Sequence, residues 1–449
     1  MKRLISLVLI IFLCLSVIAC NGDNITTTEN GDITTTQGSD NVTTLPPVTL
    51  PVKCNHDEEI IAGKEPTTTS IGLTEGKKCT LCGEILEPQS TISAMPVTDG
   101  FEYRLNDDNA SYTVIGIGDI TDDKLVIPSA FNGLPVTAIG IGAFENCENI
   151  TEAIIPDSIT YIGKSAFEYC TNLKKISIPD SVTKLGVSAF KDCWYLTEVK
   201  LSNSLSRIEN YTFSKCKSLT HVKIPDSVKK LGYSIFMKCE SLESVELPVG
   251  IPNIPTSMFY DCTSLASITI PEGVTTIESD AFYNCKGLKE MNMPSTLKTL
   301  KRDSRFNLFS GCDNVEKYYV DPDNPYFYSV DGVFYSANGI LLRYPCGKKS
   351  STFTVPEGIE KIYNGAFDNC DHLENVDLPD TLTYIGNRAF YSCDKLEYIY
   401  IPIGVKTIWY EAFSKCPLIT ISCGSFGIQK DWDERWIDKG TYVSWGRTS

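Results

Sequence analysis

The sequence predicts an α/β repeat solenoid, in which short parallel strands stack into one sheet and each repeat buries its apolar side against its neighbours. Cysteines recur every 23 residues from Cys147 to Cys285, and the same spacing returns from Cys370 to Cys416. A phenylalanine lies three residues before each of these cysteines, and also before Cys312 in the gap between the two runs. Chance does not produce eleven such matches, so the period is structural.

Each repeat begins with a segment that has the pattern of a short strand. In the unit that starts at Cys170, Leu173, Ile176 and Ile178 are apolar, and a polar residue separates the last two. This alternation places the apolar residues on the inward side of a strand, and the stacked strands form a parallel sheet on the concave side. Pro179 ends the strand, because it lacks the N–H that a ladder position needs.

The second half of the same unit predicts a short helical turn on the convex side. Val182 and Leu185 return the chain to the core, and Gly186 supports a bend. Ser188 is a suitable N-cap for one helical turn, in which Phe190 and the cysteine three residues later share the inward side. The phenylalanine column is therefore expected to be core, and Phe190→Ala should cost roughly 3–5 kcal/mol of stability.

The column of eleven cysteines is interpreted as a stack of buried free thiols. Equivalent residues of stacked strands lie about 4.8 Å apart, which is within the Cα range of a disulfide. Side chains that stack in parallel do not point at each other, so small buried hydrophobic residues are favoured over disulfides or a metal site.

The unit Ala-Phe-x-x-Cys-x-x-Leu-x-x-Ile-x-Ile-Pro-x-x-Val-x-x-Ile-Gly resembles the BspA-like class of leucine-rich repeats, over roughly residues 96–449. The resemblance gives an N-terminal cap at 96–146, repeats at 147–423 with an inserted hairpin near 321–355, and a C-terminal cap at 424–449. Ser202 departs from it by replacing the proline that ends the strand, and the period stretches between Cys285 and Cys312. The resemblance implies a leucine-rich-repeat fold and a cell-surface binding or adhesion protein.

The amino terminus indicates export and a lipid anchor. A basic start is followed by an apolar stretch from Leu4 to Ile18, which is too short to span a bilayer and is typical of a signal peptide. It ends in Val-Ile-Ala-Cys20, which resembles the lipobox of bacterial lipoproteins and implies a signal peptide at 1–20, a lipid-modified Cys20 and a protein held on the outside of the cell membrane. An ordinary signal peptide that contains Cys20 is the alternative. Residues 21–52 are rich in threonine and have little to bury, so they are expected to form a disordered tether.

Residues 53–95 are expected to form a small Cys/His unit that precedes the solenoid. Cys54 and His56 are followed by Cys79 and Cys82, and a Cys-x₂-Cys-Gly turn directs two thiolates toward one metal ion. The intervening residues are too polar for a core, so a structural zinc ion would supply folding free energy. Zinc is favoured, and a disulfide of Cys79 with Cys82 or with Cys54 is the alternative. No other cofactor is expected.

Composition and motifs favour binding over catalysis. The formal net charge of −16 argues against nucleic acid as a partner, because binding phosphate needs a clustered basic surface. The sequence has no Gly-x-Ser-x-Gly, no His-Glu-x-x-His and no phosphate-binding glycine loop. His221 and His372 are expected to be ordinary surface residues. The chain is therefore not expected to be an enzyme.

The outward positions of the concave strands are the expected binding surface. Early strands carry lysines and later strands carry acidic and aromatic residues, so this face is expected to be electrically polarised. The expected ligand contacts are Tyr319, Tyr398, Tyr400, Glu374 and Asp377. Stacked tyrosines that only stabilise the sheet are the alternative. These features predict a surface protein that binds an extracellular protein or glycan; a structural or self-assembling envelope protein is the alternative function.

Overall fold

The computed structural model describes residues 26–27, 33–34, 57–64, 72–81, 83–92, 97–301 and 308–447. These residues fall into two compact units. The smaller unit holds the described residues up to Lys64 and those from Leu73 to Ser90. The larger unit holds Gly72 and the described residues from Thr91 onward.

The smaller unit contains a three-stranded antiparallel sheet. Its strands are Glu58–Ile61, Gly76–Cys79 and Ile85–Glu87, with Gly76–Cys79 in the middle. Lys77 on the middle strand lies 3.1 Å from the carboxylates of both Glu58 and Glu87, so ion pairs connect all three strands. A further pair of short strands is Thr26–Thr27 with Ile33–Thr34.

One strand of each repeat contributes to the first face of the larger unit. Ile176 of the strand Lys175–Ser177 is buried, whereas Lys175 and Ser177 point outward, as the alternation in the sequence predicts. Lys175 pairs with Glu198, so equivalent residues of successive repeats are neighbours in a parallel ladder. The first-face strands before the insertion are Lys124–Val126, Glu152–Ile154, Lys175–Ser177, Glu198–Lys200, His221–Lys223, Ser244–Glu246, Ser267–Thr269, Glu290–Met293 and Lys317–Val320. Those after it are Thr352–Thr354, Asn375–Asp377, Tyr398–Ile401, Thr420–Cys423 and Tyr442–Trp445.

A second strand of each repeat forms a second face, where the sequence predicted only a return to the core. Lys184–Leu185 pairs in parallel with Tyr161–Ile162. Gly186 follows, and an added Cβ there would lie 2.3 Å from the main-chain nitrogen of Lys164, so close packing of repeats requires glycine. The second-face strands are Glu102–Leu105, Tyr112–Gly116, Ala130–Phe131, Leu134–Ile139, Tyr161–Ile162, Lys184–Leu185, Arg207–Ile208, Lys230–Leu231, Asn253–Ile254, Thr276–Ile277, Thr299–Leu300, Phe327–Val330, Val333–Ser336, Ile340–Arg343, Lys361–Ile362, Tyr384–Ile385, Thr407–Ile408 and Asp431–Trp432.

The third face consists of turns, and the predicted helical turns are wrong: no helix occurs in the described residues. Ser188 and Asp192 have φ values of 58° and 59°, so they lie in the left-handed region and a right-handed helix cannot continue through them. The N–H groups of Ser188, Phe190 and Asp192 donate to the next repeat at 2.8–3.0 Å, whereas those of the residues between them close local turns. Ser188 is therefore not an N-cap, because an N-cap residue has a φ in the extended region.

The core of the larger unit is a stack of side chains between the three faces. Phe167, Phe190 and Phe213 are fully buried, and neighbouring ring centroids are 5.3 and 5.5 Å apart with nearly parallel planes. Stacked aromatic pairs add about 0.5–1.5 kcal/mol to the free energy of burying the rings. The prediction that the phenylalanine column is core is confirmed.

An antiparallel hairpin interrupts the repeats. Its strands Phe327–Val330 and Val333–Ser336 pair around a two-residue turn at Asp331 and Gly332, which have φ values of 52° and 82°. Positive φ at both central residues is the requirement of a type I′ turn, whose twist suits a hairpin. The following strand, Ile340–Arg343, pairs in parallel with the next second-face strand and so returns the chain to the repeats.

Arg343 joins the hairpin to the repeats that follow it. Its side chain is fully buried, and its guanidinium donates to the carbonyl oxygens of Gly365 and Asp368, the latter at 3.1 Å. In a regular repeat, the carbonyl oxygen equivalent to that of Asp368 accepts a main-chain N–H. For example, the N–H of Tyr169 donates to the carbonyl oxygen of Lys191. Arg343 therefore supplies to Asp368 the hydrogen bond that the main chain supplies elsewhere, whereas the carbonyl oxygen of Gly365 also accepts the N–H of Asp368.

Candidate binding surface

The five expected contact residues lie on two sheets of the first face. Four of them, Glu374, Asp377, Tyr398 and Tyr400, belong to the sheet after the insertion or immediately precede its strand. Tyr319 lies on the strand Lys317–Val320, which belongs to the sheet before the insertion. Tyr319 and Tyr398 are 42% and 44% exposed, and both carboxylates are exposed. The structure therefore brings four of the residues together and places Tyr319 elsewhere.

Tyr400 differs from the other expected tyrosines because it is half-buried. Its hydroxyl donates to the carbonyl oxygen of Arg447 at 3.2 Å, and burial raises the pKa of the phenol above its ordinary value. Tyr442 is 65% exposed and continues the column of Tyr398 through Thr420. Sequence analysis did not select Tyr442, although its spacing of 22 residues from Thr420 could have placed it.

Two lysines of the early first-face strands are paired with glutamates. Lys175 lies 2.9 Å from Glu198, and Lys223 lies 2.8 Å from Glu246, one repeat further along in each case. Hydrogen bonding to Glu246 raises the pKa of Lys223. These pairs place opposite charges side by side, so the charges of Lys175 and Lys223 are balanced locally.

A histidine cluster on the first face was missed by sequence analysis. His221 Nδ1 lies 2.8 Å from Ser244 Oγ, and His221 Nε2 lies 3.6 Å from a carboxylate oxygen of Glu243. The order of groups is that of a serine–histidine–carboxylate site, but all three side chains are exposed. Exposed groups are strongly screened, so we assign the cluster to cross-strand hydrogen bonding. The 23-residue spacing of His221 and Ser244 is the signal that could have found it.

A cleft separates the first face from the hairpin. It has a volume of about 450 Å³, and the aromatic residues in its wall are Tyr319 from the first face and Tyr328 from the hairpin. A second hollow of about 200 Å³ lies on the other side of Tyr319 and Lys317 and is lined by Glu290 and Asn292. Periodicity could not place Tyr328 in this site, because the insertion does not follow the repeat.

The cysteine column donates hydrogen bonds across repeats. The Cys193, Cys239 and Cys262 thiols each lie 3.1 Å from the carbonyl oxygen of the phenylalanine 26 residues earlier. Burial raises the pKa of these thiols above its ordinary value, which disfavours the reactive thiolate. The prediction of buried free thiols is confirmed for the column members Cys170, Cys193, Cys216, Cys239, Cys262, Cys285, Cys312, Cys393 and Cys416, whereas Cys147 is free but only half-buried.

One member of the column is paired, which corrects the prediction for that position. Cys370 forms a disulfide with Cys346, and their Cα atoms are 4.5 Å apart. Cys346 comes from the irregular chain after the hairpin and has no place in the column. Its side chain can therefore approach Cys370 from a direction that a stacked neighbour cannot.

The predicted zinc and lipid sites fall largely outside the described residues. Cys20, Cys54, His56 and Cys82 lie outside them. Cys79 is buried at the end of its strand, where its sulfur accepts the N–H of Leu81 at 3.4 Å. Where the structure is described, no three His, Cys, Asp or Glu side chains form a group that could hold a metal, and no helix has the length and apolarity of a membrane span.

The three-faced stack of repeats and the open strand ladder define the class of protein as a repeat solenoid with an exposed sheet. The family model of the BspA type leucine rich repeat region matches residues 137–221, 186–316 and 344–428, in six copies. The chain therefore belongs to the BspA type leucine-rich-repeat family.

Solved structures of bacterial proteins resemble the chain. A leucine rich cell surface protein from Faecalibacterium prausnitzii is 28% identical, with a TM-score of 0.53, over 74% of this chain and 89% of that one. A leucine-rich-repeat protein of T. pallidum is 27% identical, with a TM-score of 0.37, over 49% and 89% of the two chains. The pneumococcal vaccine antigen PcpA is 18% identical, with a TM-score of 0.44, over 74% and 82%. No curated protein matches the chain.

Proposed function

We propose that the chain is a cell-surface protein, anchored through a lipid on Cys20, that binds an extracellular protein or glycan on its first face and catalyses no reaction. The observation that carries the proposal is the open ladder that presents Tyr398 beside the strand of Glu374 and Asp377, and Tyr442 two strands further along. The cell-surface description of the similar Faecalibacterium protein supports the location. The family, a repeat scaffold, supports binding over catalysis.

Tyrosines on a strand ladder are suited to this role. A tyrosine that becomes buried at an interface removes a large area from water and has few rotatable bonds to immobilise. The backbone of Tyr398 is already fixed by pairing with Asn375 and Thr420, so little conformational entropy is lost on binding. Anchors of this kind typically contribute 2 kcal/mol or more at the centre of an interface.

Binding of the purified full chain to an array of extracellular matrix proteins, cell-surface proteins and glycans tests the proposal. We expect at least one ligand, and we expect its binding to fall in a variant with Tyr319, Tyr398 and Tyr400 changed to serine. The matched control is the pair Tyr195→Ser and Tyr233→Ser, which removes tyrosines of similar exposure away from the first-face columns. A folded chain that binds nothing on the array would contradict the proposal, and binding that survives the triple change would contradict the assignment of the site.

A specific surface feature favours self-assembly as a second candidate function. Phe426 is 89% exposed and Ile403 is 69% exposed, one repeat apart at the corner between the first and second faces. Exposed apolar residues that cluster in this way mark contact surfaces. Light scattering at micromolar concentration distinguishes the two functions: a dimer or larger species that Phe426→Ser dissolves supports assembly, and a monomer contradicts it.

The zinc site is part of the proposal. Cys54, His56, Cys79 and Cys82 would bind one structural zinc ion, which would stabilise a unit with little apolar core. Elemental analysis of the full chain should find about one zinc per chain, released on acidification. Cys82→Ser should lose the metal, whereas the control Cys147→Ser, at a half-buried cysteine of the larger unit, should keep it. Protein without zinc and without titratable thiols at these positions would contradict this part.

A further inference from the structure

The cleft between the first face and the hairpin has fixed walls. The main-chain N–H of Val320 donates to Ser329 Oγ at 3.1 Å, and the N–H of Tyr318 donates to the carbonyl of Gly332 at 3.0 Å. These bonds tie the first-face strand to the hairpin. The two sides of the cleft are therefore held together before any ligand arrives, which lowers the entropic cost of binding.

Two aromatic rings of the cleft are held in position and open to solvent. Tyr328 packs on the buried Tyr335, with ring centroids 5.1 Å apart and planes 13° from parallel. One face of Tyr328 is thus covered, yet the side chain is 40% exposed, and Tyr319 on the opposite wall is 42% exposed. Rings that are fixed and half-exposed offer their negative faces to a ligand.

Carboxylates outnumber ammonium groups around these rings. Glu316, Asp321 and Asp331 line the larger hollow, and Glu290 lines the smaller one. Within the described part of the chain, none of these four carboxylates lies within 4 Å of a lysine or arginine nitrogen. The charge of the site is therefore negative, in contrast to the paired charges of the early first-face strands.

The cleft already holds an ammonium group of the chain itself beside one of its aromatic rings. Lys317 lies in the wall between the two hollows, and its ammonium is 5.9 Å from the centroid of the Tyr319 ring. Lys348 lies in the irregular chain after the hairpin, and its Nζ donates to the carbonyl oxygen of Asp331 in the hairpin turn at 3.1 Å. An ammonium over a tyrosine is a cation–π contact, so the chain's own side chain occupies part of the place that an external cation would use.

We propose that this cleft binds the arginine or lysine side chains of a basic extracellular polypeptide. The inference rests on the proposed binding function and names the class of partner for one part of the first face. A guanidinium or ammonium would stack on Tyr319 or Tyr328 and pair with the carboxylates around them. The net charge of −16 would also attract a basic partner over longer distances.

Fluorescence anisotropy with the full chain and a labelled tetra-arginine peptide tests the inference at physiological salt. The tetra-citrulline peptide, which has a similar shape and no charge, is the matched ligand. We expect the arginine peptide to bind at least tenfold more tightly. The double variant Tyr319→Leu and Tyr328→Leu should lose about tenfold in affinity, because two cation–π contacts are removed. The control Tyr233→Leu, at a similarly exposed tyrosine away from the first-face columns, should bind as the parent chain does.

A variant of Lys317 makes the test specific to the cleft. Lys317→Gln removes the internal cation, so the arginine peptide should bind roughly threefold more tightly. Lys223→Gln, which removes a paired lysine elsewhere on the first face, is the control for net charge and should change binding less. A Lys317→Gln variant that binds more weakly overturns the inference.

The remaining outcomes separate the inference from the function on which it rests. If both peptides bind equally, or if the double variant binds as the parent chain does, binding does not depend on cation recognition in the cleft. Either result overturns the inference. A glycan on the array whose binding needs Tyr319 and Tyr328, without binding of the arginine peptide, overturns the inference and leaves the proposed function intact. Melting curves of every variant show that the loss of binding is not a loss of fold.

Discussion

Replacement of Arg343 by methionine tests whether one buried side chain holds the two halves of the repeat stack together. Buried apolar residues form two clusters that meet at the hairpin, with Phe334 in the first and Val333 in the second. The Arg343 guanidinium bonds to the carbonyl oxygens of Gly365 and Asp368, and Nη2 lies 3.7 Å from Asp313. Methionine keeps much of the volume and removes every donor.

The magnitude follows from these contacts. A hydrogen bond from a charged donor contributes about 1.5–3 kcal/mol, so two of them contribute about 3–6 kcal/mol. Removing the guanidinium also removes the free energy spent on desolvating it, which offsets part of the loss. We therefore expect Arg343→Met to lower the free energy of unfolding by roughly 3 kcal/mol.

Chemical denaturation followed by two probes measures this effect. Circular dichroism reports on all strands, whereas tryptophan fluorescence in a Trp194→Phe background reports on the part of the chain after the insertion, which holds the other four tryptophans. The two transitions should separate in Arg343→Met, because the clusters no longer unfold together. Arg388→Met is the matched control: its partly exposed side chain pairs with Glu411 at 2.7 Å, and it should cost about 1 kcal/mol or less. A loss below about 1 kcal/mol for Arg343→Met, with coincident transitions, would refute the reasoning.

Three further predictions concern pH, packing and thiols. Burial raises the pKa of Asp368 to about 6, so the folded chain holds a proton that the unfolded chain releases between about pH 4 and 6. Stability should rise by roughly 1 kcal/mol as the pH falls from 7 to 5, and Asp368→Asn should lack this contribution in denaturant titrations. Phe190→Ala should cost roughly 3–5 kcal/mol in the same assay, because it removes a ring packed between two others. In the larger unit, a maleimide should label Cys147 in the native protein, and Cys346 and Cys370 should resist labelling after denaturation until a reductant is added.

Each of these expectations has a result that would contradict it. An Asp368→Asn variant with the same pH dependence as the parent chain would show that the carboxyl is already solvated. A loss near 1 kcal/mol for Phe190→Ala would mean that the column collapses to fill the space. If mass spectrometry shows that maleimide rapidly labels many thiols in the native protein, the repeats around the cysteine column unfold locally on the time scale of the reaction.

The regular parts of the structure could be predicted because the sequence repeats them. The period placed Phe190 in the core, and the alternation around Ile176 placed Lys175 and Ser177 outside. The same period also predicts which residues of neighbouring repeats are in contact, and the pattern within a single repeat does not. Adding 23 to the number of Lys175 gives Glu198, the residue with which it forms an ion pair.

The third face could not be predicted from residue types. Ser188 and Asp192 adopt positive φ, yet serine and aspartate at these positions are equally suited to the start of a helix. Hydrogen bonds to the next repeat hold the left-handed conformation, and such bonds are a property of the stack. A local pattern therefore favoured a helix that the tertiary structure replaces with turns.

The contacts of the insertion could not be predicted for a different reason. Cys346 and Tyr328 follow no period, so the disulfide to Cys370 and the aromatic cleft required the three-dimensional path of the chain. The sequence therefore predicted only part of the candidate site: the repeat pattern identified Tyr319, but it could not identify Tyr328 on the opposite wall of the cleft.

The main-chain bonds of the turn face have a mechanical consequence. Each N–H that leaves a repeat ends on the repeat next to it, so a repeat at either end is held by one neighbour only. Under tension applied to the two ends of the chain, repeats should unfold one at a time. Each unfolding step should lengthen the chain by roughly 75 Å, which is the contour length of 23 extended residues less one strand spacing. The force–extension curve would then show evenly spaced unfolding peaks, and the Cys346–Cys370 disulfide would reduce the extension gained when the repeat that contains it unfolds.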